Sequence, residues 1–488
     1  MTGRSKKLGH FMLLCAVAAA PAGSQPSPTT DRTKAVERGL RGPVRVVGEA
    51  PVLMDLAARM AHYKVPGVSI ALIENGRLEW AKGYGMARAG QPVTPNTQFS
   101  TGSISKAVTA VAAMRRVEAG ALTLDTDINR VLRNWKVPAS SLSAGEAVTM
   151  RRLLSHGAGL SVHGFPGYVA GKPLPTNIQI LKGEPPAVNK PVKVDVRPGS
   201  VWKYSGGGYQ VVQQWLTESS DMSFAELMRR RLFKPLGMTR SSFEQVPAAR
   251  APTSFATAHD REGKELPGRW MLLPEMAAAG LWSTPSDLAR LAIALQQAAK
   301  GKPRSIVSSA TAREMFTRQT GNWGLGFELQ GEGQALRFRH AGDNPGYKAV
   351  IIAYPETGQG AVILTNGDRG VRLMDEILFS LAANYNWPDY SPKVKTAVGI
   401  GPAAYARVVG KYVLDDVPNV QLVIAQRPEG LWVQIVQPSG NAEAQLLPAS
   451  ANRFFRRDID FELDFAEGAS APKVTLYQDG QTFTATRS

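Results

Sequence analysis

The stretch Phe99-Ser100-Thr101-Gly102-Ser103-Ile104-Ser105-Lys106 leads directly into an apolar segment that runs from Ala107 to Val117. A serine hydroxyl is a weak nucleophile at neutral pH unless a base beside it takes its proton. Residues three apart share one face of a helix, so a helix beginning near Ser103 places the Lys106 amine against the Ser103 hydroxyl. The apolar residues that follow indicate a buried helix, and burial lowers the pKa of a lysine. Since roughly two S-x-x-K matches arise by chance in a chain this long, the motif alone predicts little.

Two further motifs follow this one along the chain, and the order of the three is more specific than the first motif alone. They are Tyr204-Ser205-Gly206 and His340-Ala341-Gly342, the second followed by Asp343. S-x-x-K, then S-D-N, then K-T-G is the signature of class A β-lactamases and penicillin-binding proteins. With Y-S-G and H-A-G in the later positions, the set resembles the class C β-lactamase-related serine hydrolases, whose middle motif carries a tyrosine and whose last motif is K-T-G or H-x-G. The resemblance covers roughly residues 45 to 390 and extends to four connecting stretches, which are Met150–Leu160, Pro235–Met238, Ala279–Leu288 and Trp323–Phe327.

The resemblance implies a role for each motif residue. Ser103 would be the acylated nucleophile, and Lys106 and Tyr204 would share the role of general base and then return the proton to the leaving group. His340 would stand where K-T-G enzymes carry lysine, on a strand that lines the site. The backbone N–H groups of Ser103 and Asp343 would form the oxyanion hole, because a tetrahedral intermediate needs two donors aimed at its developing charge. A tyrosine, with an unperturbed pKa near 10, can act as a base only if a cation such as Lys106 stabilises its phenolate.

Two departures from the family pattern bear on the substrate, which Gly206, Ala341 and Gly342 are expected to contact. In the Y-x-N form of the middle motif an asparagine amide reaches towards the substrate's amide, whereas Gly206 has no side chain. His340 is mostly neutral at pH 7 and so anchors a substrate carboxylate less well than lysine does. Both departures favour esters or small (D-amino-acid) amides over β-lactams.

Two alternatives stay open. If the protein is an enzyme, the alternative to an esterase or amidase is a β-lactamase or D,D-carboxypeptidase. The expected partner in either case is a small ester, amide or peptide, and the peptide can be derived from the cell wall. Outside the enzymes, the alternative is a non-catalytic penicillin-recognising or cell-wall-binding protein. A binder has no physical need for a nucleophile together with its base, and Ser103, Lys106 and Tyr204 are all present.

Other polar residues are interpreted as structural. His156 is expected at the C-terminus of a helix, where a histidine interacts favourably with the last carbonyls. Asp125 and Asp127 are expected in a turn rather than as a catalytic carboxylate pair. No metal site and no cofactor are expected, because His163 and His259 lack neighbours at metal-ligand spacing.

Composition indicates an exported protein. Residues 1–23 resemble a secretory signal peptide, with a basic start, an apolar stretch from Phe11 to Ala20 that is too short to span a bilayer, and small residues after it. The one cysteine, Cys15, lies in that stretch, after a leucine that argues against lipidation. A periplasmic or secreted location without a stable membrane anchor is therefore expected. The net charge of +17 is scattered along the chain rather than concentrated in a stripe with aromatic residues, so nucleic acid is not an expected partner.

The pattern along the chain predicts an α+β fold followed by an all-β domain. Residues 24–44 are rich in Pro, Ser and Thr and are expected to form a linker, and residues 50 to 62 a helix. Residues 45–390 are expected to form a β-lactamase-like antiparallel sheet flanked by helices, with its site at the junction of sheet and helix; Asn75-Gly76 predicts a hairpin near its start. After a second linker at 391–402, alternating strands predict a small barrel-like β-domain at 403–488. Neither its role nor the oligomeric state follows from the sequence.

Overall fold

The computed structural model describes residues 1–2, 28–246, 253–417, 419–438, 440–468, 470–478 and 480–488, without the side chains of 28–30. The expected signal peptide, including Cys15, lies outside the described residues except for its first two positions. Within the described ranges, no helix has the length and apolar character needed to cross a membrane.

An antiparallel sheet of seven strands forms the centre of the larger domain, in the spatial order β4-β3-β2-β10-β9-β8-β7. These strands are β2 Gly67–Glu74, β3 Arg77–Arg88, β4 Gln91–Pro92, β7 Glu328–Gln330, β8 Arg337–Asn344, β9 Tyr347–Ala353 and β10 Gly360–Thr365. Asn75 and Gly76 both have positive φ and join β2 to β3, which confirms the hairpin expected from Asn-Gly. Because β2 pairs with β10, the sheet unites the two ends of the domain and leaves the helices between them.

Helices cover both faces of this sheet, and the last helix of the chain packs instead against the C-terminal part. Their bounds are α1 Pro28–Arg38, α2 Leu56–Tyr63, α3 Ile104–Glu118, α4 Ile128–Val131, α5 Met150–Leu154, α6 Asn177–Lys182, α7 Gly206–Ser220, α8 Phe224–Met228, α9 Lys234–Leu236, α10 Met276–Ala279, α11 Pro285–Ala299, α12 Ser309–Met315, α13 Gly370–Tyr385 and α14 Pro402–Val408. Two short pairs of strands complete the domain, which are β1 Val44–Val46 with β11 Lys393–Lys395 and β5 Phe99–Ser100 with β6 Trp282–Ser283.

The alternating side chains of the sheet divide the interior into two cores. In β2, Ala71 and Ile73 pack into the core that contains α3, α7 and α11, while Ile70 and Leu72 pack into the core beneath α2 and α13. This follows from the period of two along a strand, which sends successive side chains to opposite faces. Helix α3 is buried from Ile104 to Met114, as its apolar sequence predicts, and it lies at the centre of the first core.

The C-terminal part is a closed eight-stranded antiparallel barrel, and it confirms the expected all-β domain. Its strands are β12 Gly410–Leu414, β13 Gln421–Arg427, β14 Gly430–Val436, β15 Ala442–Pro448, β16 Arg453–Phe455, β17 Phe461–Phe465, β18 Lys473–Gln478 and β19 Gln481–Arg487. The barrel closes through pairing of β12 with β19 and has a hydrophobic core of its own.

Some expected local structure is wrong. Within the expected linker at 24–44, residues 28–38 form helix α1 instead. Val36 of this helix and Leu40, which follows it, pack in the core beneath α13. In the expected linker at 391–402, residues 393–395 form β11. The helix expected from residue 50 begins only at Leu56, because the Asp55 side chain accepts hydrogen bonds from the first free backbone N–H groups and acts as its N-cap.

Candidate active site

Ser103 and Lys106 lie together at the start of α3. Ser103 immediately precedes the helix, and the Lys106 backbone N–H donates to the Ser103 carbonyl at 2.9 Å, so the first turn is already helical. Lys106 Nζ lies 3.0 Å from Ser103 Oγ and donates to the carbonyl of Ala278 in α10 at 2.7 Å. The amine and the hydroxyl are therefore within hydrogen-bonding distance, as the S-x-x-K spacing predicts.

Lys106 is 2% exposed, and this burial decides its charge. Removal from water penalises the ammonium form and lowers the pKa of Lys106 to about 7. Burial is the only cause of this lower pKa, and no carboxylate in the described part of the chain raises the pKa of Lys106. A large fraction of this amine is therefore neutral near pH 7, and a neutral amine can accept a proton from a serine.

Tyr204 stands just before α7 and faces the same pair. Lys106 Nζ lies 4.9 Å from the centre of the Tyr204 ring. Burial raises the pKa of Tyr204 to about 12, an effect that exceeds the opposing effect of its hydrogen bond with Ser103. The phenolate that a shared-base role requires is thus disfavoured in the resting site. A neutral lysine beside a neutral tyrosine is the state that the geometry supports.

His340 is buried on β8 beside these groups. Its Nδ1 lies 2.7 Å from the Ala341 carbonyl oxygen, and since a carbonyl only accepts, Nδ1 carries the proton. Nε2 is then an acceptor, and it has no hydrogen-bond partner among the described residues. Burial, reinforced by the nearby Lys106, lowers the pKa of His340 to about 3. His340 is therefore an uncharged acceptor at neutral pH and offers no positive charge to a substrate carboxylate.

The strand β8 lies against the loop that precedes α3, and small residues permit this contact. A Cβ atom on Gly342 would lie 1.9 Å from the Thr101 carbonyl oxygen, and one on Gly102 would lie 2.6 Å from the Asp343 backbone nitrogen. The close approach brings the backbone of Asp343 beside the residue that precedes Ser103. The Asp343 side chain is exposed and bonds to Lys348 on β9 at 2.5 Å.

His156 is a site neighbour that sequence reasoning missed. It follows the C-cap of α5, as expected, but with a φ of 59°. Its Nδ1 accepts the backbone N–H of Ser205 at 3.1 Å, and its ring centre lies 4.2 Å from that of Tyr204. Burial, with the nearby Lys106, lowers the pKa of His156 well below its usual value, so it carries no charge to interact with the helix carbonyls. The Ser155-His156-Gly157 stretch gave no signal for this contact, because His156 and Tyr204 lie far apart in the chain.

The remaining candidates divide between the site and the scaffold. Ala341 is exposed beside His340, whereas Gly206 is buried at the start of α7. Asp125 pairs with Arg151, and Asp127 caps α4, so both have the structural roles expected of them. Within the described ranges, no group of three or more His, Cys, Asp or Glu side chains could hold a metal ion.

Known proteins are similar to this chain in sequence, and solved structures are similar to it in fold. Penicillin-binding protein 4* of Bacillus subtilis (strain 168) is 27% identical and aligns over 83% of this chain and 91% of its own length. Penicillin-binding protein 4 of Amycolatopsis lactamdurans is also 27% identical, over 64% of this chain and 83% of its own. The octameric penicillin-binding protein homologue from Pyrococcus abyssi superimposes with a TM-score of 0.59 at 24% identity, covering 88% of this chain and 98% of its own.

The β-lactamase family model matches residues 55–383, a segment that contains all three motifs and every strand of the central sheet. That match covers well over half of the chain, and it coincides with the domain in which Ser103, Lys106, Tyr204 and His340 converge. The chain therefore belongs to the β-lactamase family.

Proposed function

We propose that this protein is an exported serine hydrolase that forms an acyl-enzyme on Ser103 and acts on esters or small amides, D-amino-acid amides included. One observation carries the proposal, namely the contact of the buried Lys106 amine with the Ser103 hydroxyl at 3.0 Å. Burial keeps this amine partly neutral near pH 7, and a serine next to a neutral amine is an activated nucleophile.

In the first half of the reaction, neutral Lys106 accepts the Ser103 proton while Oγ forms a bond to the substrate carbonyl carbon. The carbonyl electron pair moves onto its oxygen, and the backbone N–H groups of Ser103 and Asp343 bind that oxyanion. Tyr204, protonated because burial raises its pKa, donates its proton to the leaving alkoxide or amine as the carbon–leaving group bond breaks. The Lys106 ammonium then returns a proton to Tyr204.

In the second half, water replaces the leaving group. Lys106 takes a proton from the water as its oxygen attacks the acyl carbon, and Ser103 Oγ departs with a proton from Tyr204. The Lys106 ammonium then returns a proton to Tyr204, and both residues regain their starting state. The same two residues therefore act in both halves, Lys106 as the base and Tyr204 as the acid. His340 contributes an uncharged acceptor next to Lys106, which favours neutral substrates over those with a carboxylate.

A β-lactamase or D,D-carboxypeptidase is the second candidate, and the names of the penicillin-binding relatives favour it. Against it stand the uncharged His340 and the absence of a side chain at Gly206, which remove two partners for the polar groups of a β-lactam. The third candidate is a non-catalytic protein that recognises penicillin or binds the cell wall. It does not account for the contact between Ser103 and Lys106, because binding alone requires no activated nucleophile.

The decisive experiment follows covalent labelling and turnover together. The native protein is expected to react with a fluorophosphonate at Ser103, located by intact-protein and peptide mass spectrometry, and Ser103→Ala is expected to lose the label and most turnover. Ser105→Ala, two residues further along α3, serves as the matched serine control. Labelling that persists in Ser103→Ala contradicts the nucleophile. A native kcat/KM at least tenfold higher for a cephalosporin than for a neutral p-nitrophenyl ester would replace the esterase proposal with the β-lactamase one.

Export is tested separately. Expression of the full chain in a Gram-negative host, followed by fractionation and N-terminal sequencing, is expected to give a periplasmic or secreted product that begins near residues 20 to 24. A cytoplasmic product that keeps Met1 would contradict this part of the proposal.

A further inference from the structure

The start of α7 is crowded at Gly206, the position at which relatives with a Y-x-N motif carry an amide side chain. A Cβ atom at Gly206 would lie 2.9 Å from Phe165 Cε2 and 3.0 Å from the His163 carbonyl oxygen. Interior packing is dense, so an added methyl group at such distances forces its neighbours to move. The Phe165 ring therefore occupies the space that a side chain at 206 would need.

The loop that carries Phe165 is tied firmly to α7. Gly206 N–H donates to the His163 carbonyl at 3.0 Å, and Gly207 N–H donates to the Val162 carbonyl at 2.9 Å. Ser205 Oγ donates to the Ser161 carbonyl at 2.7 Å. Val162 has a φ of 64°, a conformation that is strained for a β-branched residue and persists only where its surroundings impose it. These contacts hold Phe165 against Gly206, and they also fix Ser205, the residue that follows Tyr204.

The neighbourhood of Tyr204 presents aromatic surface. The His163 ring centre lies 4.9 Å from that of Tyr204, and His163 is exposed. Trp202 is 43% exposed and stacks on Trp323 at 5.9 Å between ring centres. Phe165 is only partly buried. Exposed aromatic rings grouped beside candidate catalytic residues are typical of a binding surface for an apolar group.

We propose that Phe165 is a specificity-determining residue and that Phe165 and Gly206 together make the acyl side of the site apolar. The inference rests on the proposed function and deepens it by naming the substrate class. That class is the esters and amides whose acyl group is apolar next to the carbonyl, without an acylamino substituent. It narrows the proposed function, because D-amino-acid amides carry a polar amino group at that position and fall outside it. An acylamino group bound against Phe165 would lose its hydrogen bonds to water and gain none from position 206.

The test uses two p-nitrophenyl esters with the same leaving group, the 4-phenylbutanoate and the hippurate. They differ only in that an amide of the hippurate replaces two methylene groups. The native enzyme is expected to prefer the 4-phenylbutanoate by at least tenfold in kcat/KM. Phe165→Ala is expected to reduce this ratio by at least fivefold, and Phe165→Leu, which keeps the wall apolar, is expected to keep it. An unchanged ratio in Phe165→Ala overturns the proposal.

A second pair of variants tests the steric part without requiring turnover. Gly206→Asn alone is expected to lower Tm by several degrees, because its side chain meets Phe165. Phe165→Ala combined with Gly206→Asn is expected to recover Tm relative to Gly206→Asn and to shift the ester ratio further towards the hippurate. A double variant no more stable than Gly206→Asn shows that Phe165 does not fill this space.

The labelling and ester experiments distinguish an error in the proposed function from an error in the proposed substrate class. If the native protein neither turns over the two esters nor labels at Ser103, the serine hydrolase proposal falls and the substrate class falls with it. If Ser103 labels and both esters are hydrolysed at similar rates, the hydrolase stands and the apolar subsite is wrong.

Discussion

At the scale of single residues, burial sets the chemistry of the site more than pairing of charges does. Removal from water holds Tyr204 and His340 in the uncharged form and makes a large fraction of Lys106 neutral near pH 7. Desolvation penalises the charged form of every ionisable group, so it lowers the pKa of the lysine and the histidine and raises that of the tyrosine. In the proposed mechanism, Lys106 is therefore the proton acceptor and Tyr204 the proton donor.

The first prediction concerns the pH dependence of activity. Because Lys106 must be neutral to act as a base, kcat/KM for a neutral ester should rise with pH through a midpoint of about 7 and fall about tenfold per pH unit well below it. An unperturbed lysine would place this midpoint near 10. The check is kcat/KM from pH 5 to 10, with His163→Asn as the control. A limb that disappears in that control does not report on Lys106.

The second prediction concerns the two proton carriers. Lys106→Ala, Tyr204→Phe and the double variant should have similarly low kcat/KM, about 10³-fold or more below native, because residues that act as one unit give strongly non-additive losses. Circular dichroism spectra that match the native protein serve as the folding control. If the losses multiply in the double variant, Lys106 and Tyr204 act independently.

At the scale of elements, the site depends on how closely β8 approaches the start of α3. His340 and Gly342 share the buried face of β8, while Ala341 and Asp343 are exposed. Without a side chain at Gly342, the strand reaches the Thr101 carbonyl, and this contact sets the separation of the Ser103 and Asp343 backbones. The oxyanion donors proposed above therefore depend on packing between a helix and a strand.

The third prediction tests this packing. Gly342→Ala would place a Cβ atom 1.9 Å from the Thr101 carbonyl oxygen, so β8 must shift and carry Asp343 with it. Loss of one oxyanion donor typically costs about 10²- to 10³-fold in kcat, and we expect a loss of that size with a smaller change in KM. Gly399→Ala, where nothing lies within 4 Å of the added atom, is the matched control. Native kcat in Gly342→Ala would contradict the arrangement.

At the scale of the whole molecule, the barrel contacts the larger domain at β11, which pairs with β1 outside the central sheet. Lys393 of β11 pairs with Asp460 of the barrel at 2.6 Å, and Lys395 pairs with Glu462. Beside these contacts, a cavity of about 510 Å³ lies between the barrel and the larger domain. It is lined by Glu376 of α13, on the side of the second core. Since α3 lies in the first core, on the other side of the sheet, the barrel makes these contacts away from the candidate active site.

The fourth prediction follows from this placement. The double variant Lys393→Ala/Lys395→Ala removes two ion pairs with the barrel. It should leave kcat/KM for a small ester within about twofold of native, because both pairs lie on the side of the domain away from Ser103 and the more exposed pair, Lys393–Asp460, contributes little. Lys300→Ala/Lys302→Ala, with the same spacing and charge change, is the control. A tenfold loss in the first variant alone would show that the barrel influences the site.

Short stretches of sequence predicted several helices, strands and turns of this protein and the positions of its candidate catalytic residues. The S-x-x-K spacing, the apolar run after it and Asn75-Gly76 each act within a few residues of the chain, and they predicted the buried α3, its Ser103–Lys106 contact and the β2–β3 hairpin. The order of the motifs predicted the family, and the alternating C-terminal pattern predicted the barrel. Helix, turn and strand patterns depend mainly on neighbours in sequence, so a single sequence discloses them.

Tertiary structure decided the rest, because it depends on residues that meet only after folding. Composition suggested a linker where α1 packs on α13, and no pattern linked His156 to Tyr204 or Phe165 to Gly206. The motifs predicted a Tyr204 phenolate stabilised by a Lys106 cation, whereas burial keeps Tyr204 protonated and makes a large fraction of Lys106 neutral near pH 7. The degree of burial depends on everything that packs around a group, and this is why the charge state and the shape of the site followed only from the fold.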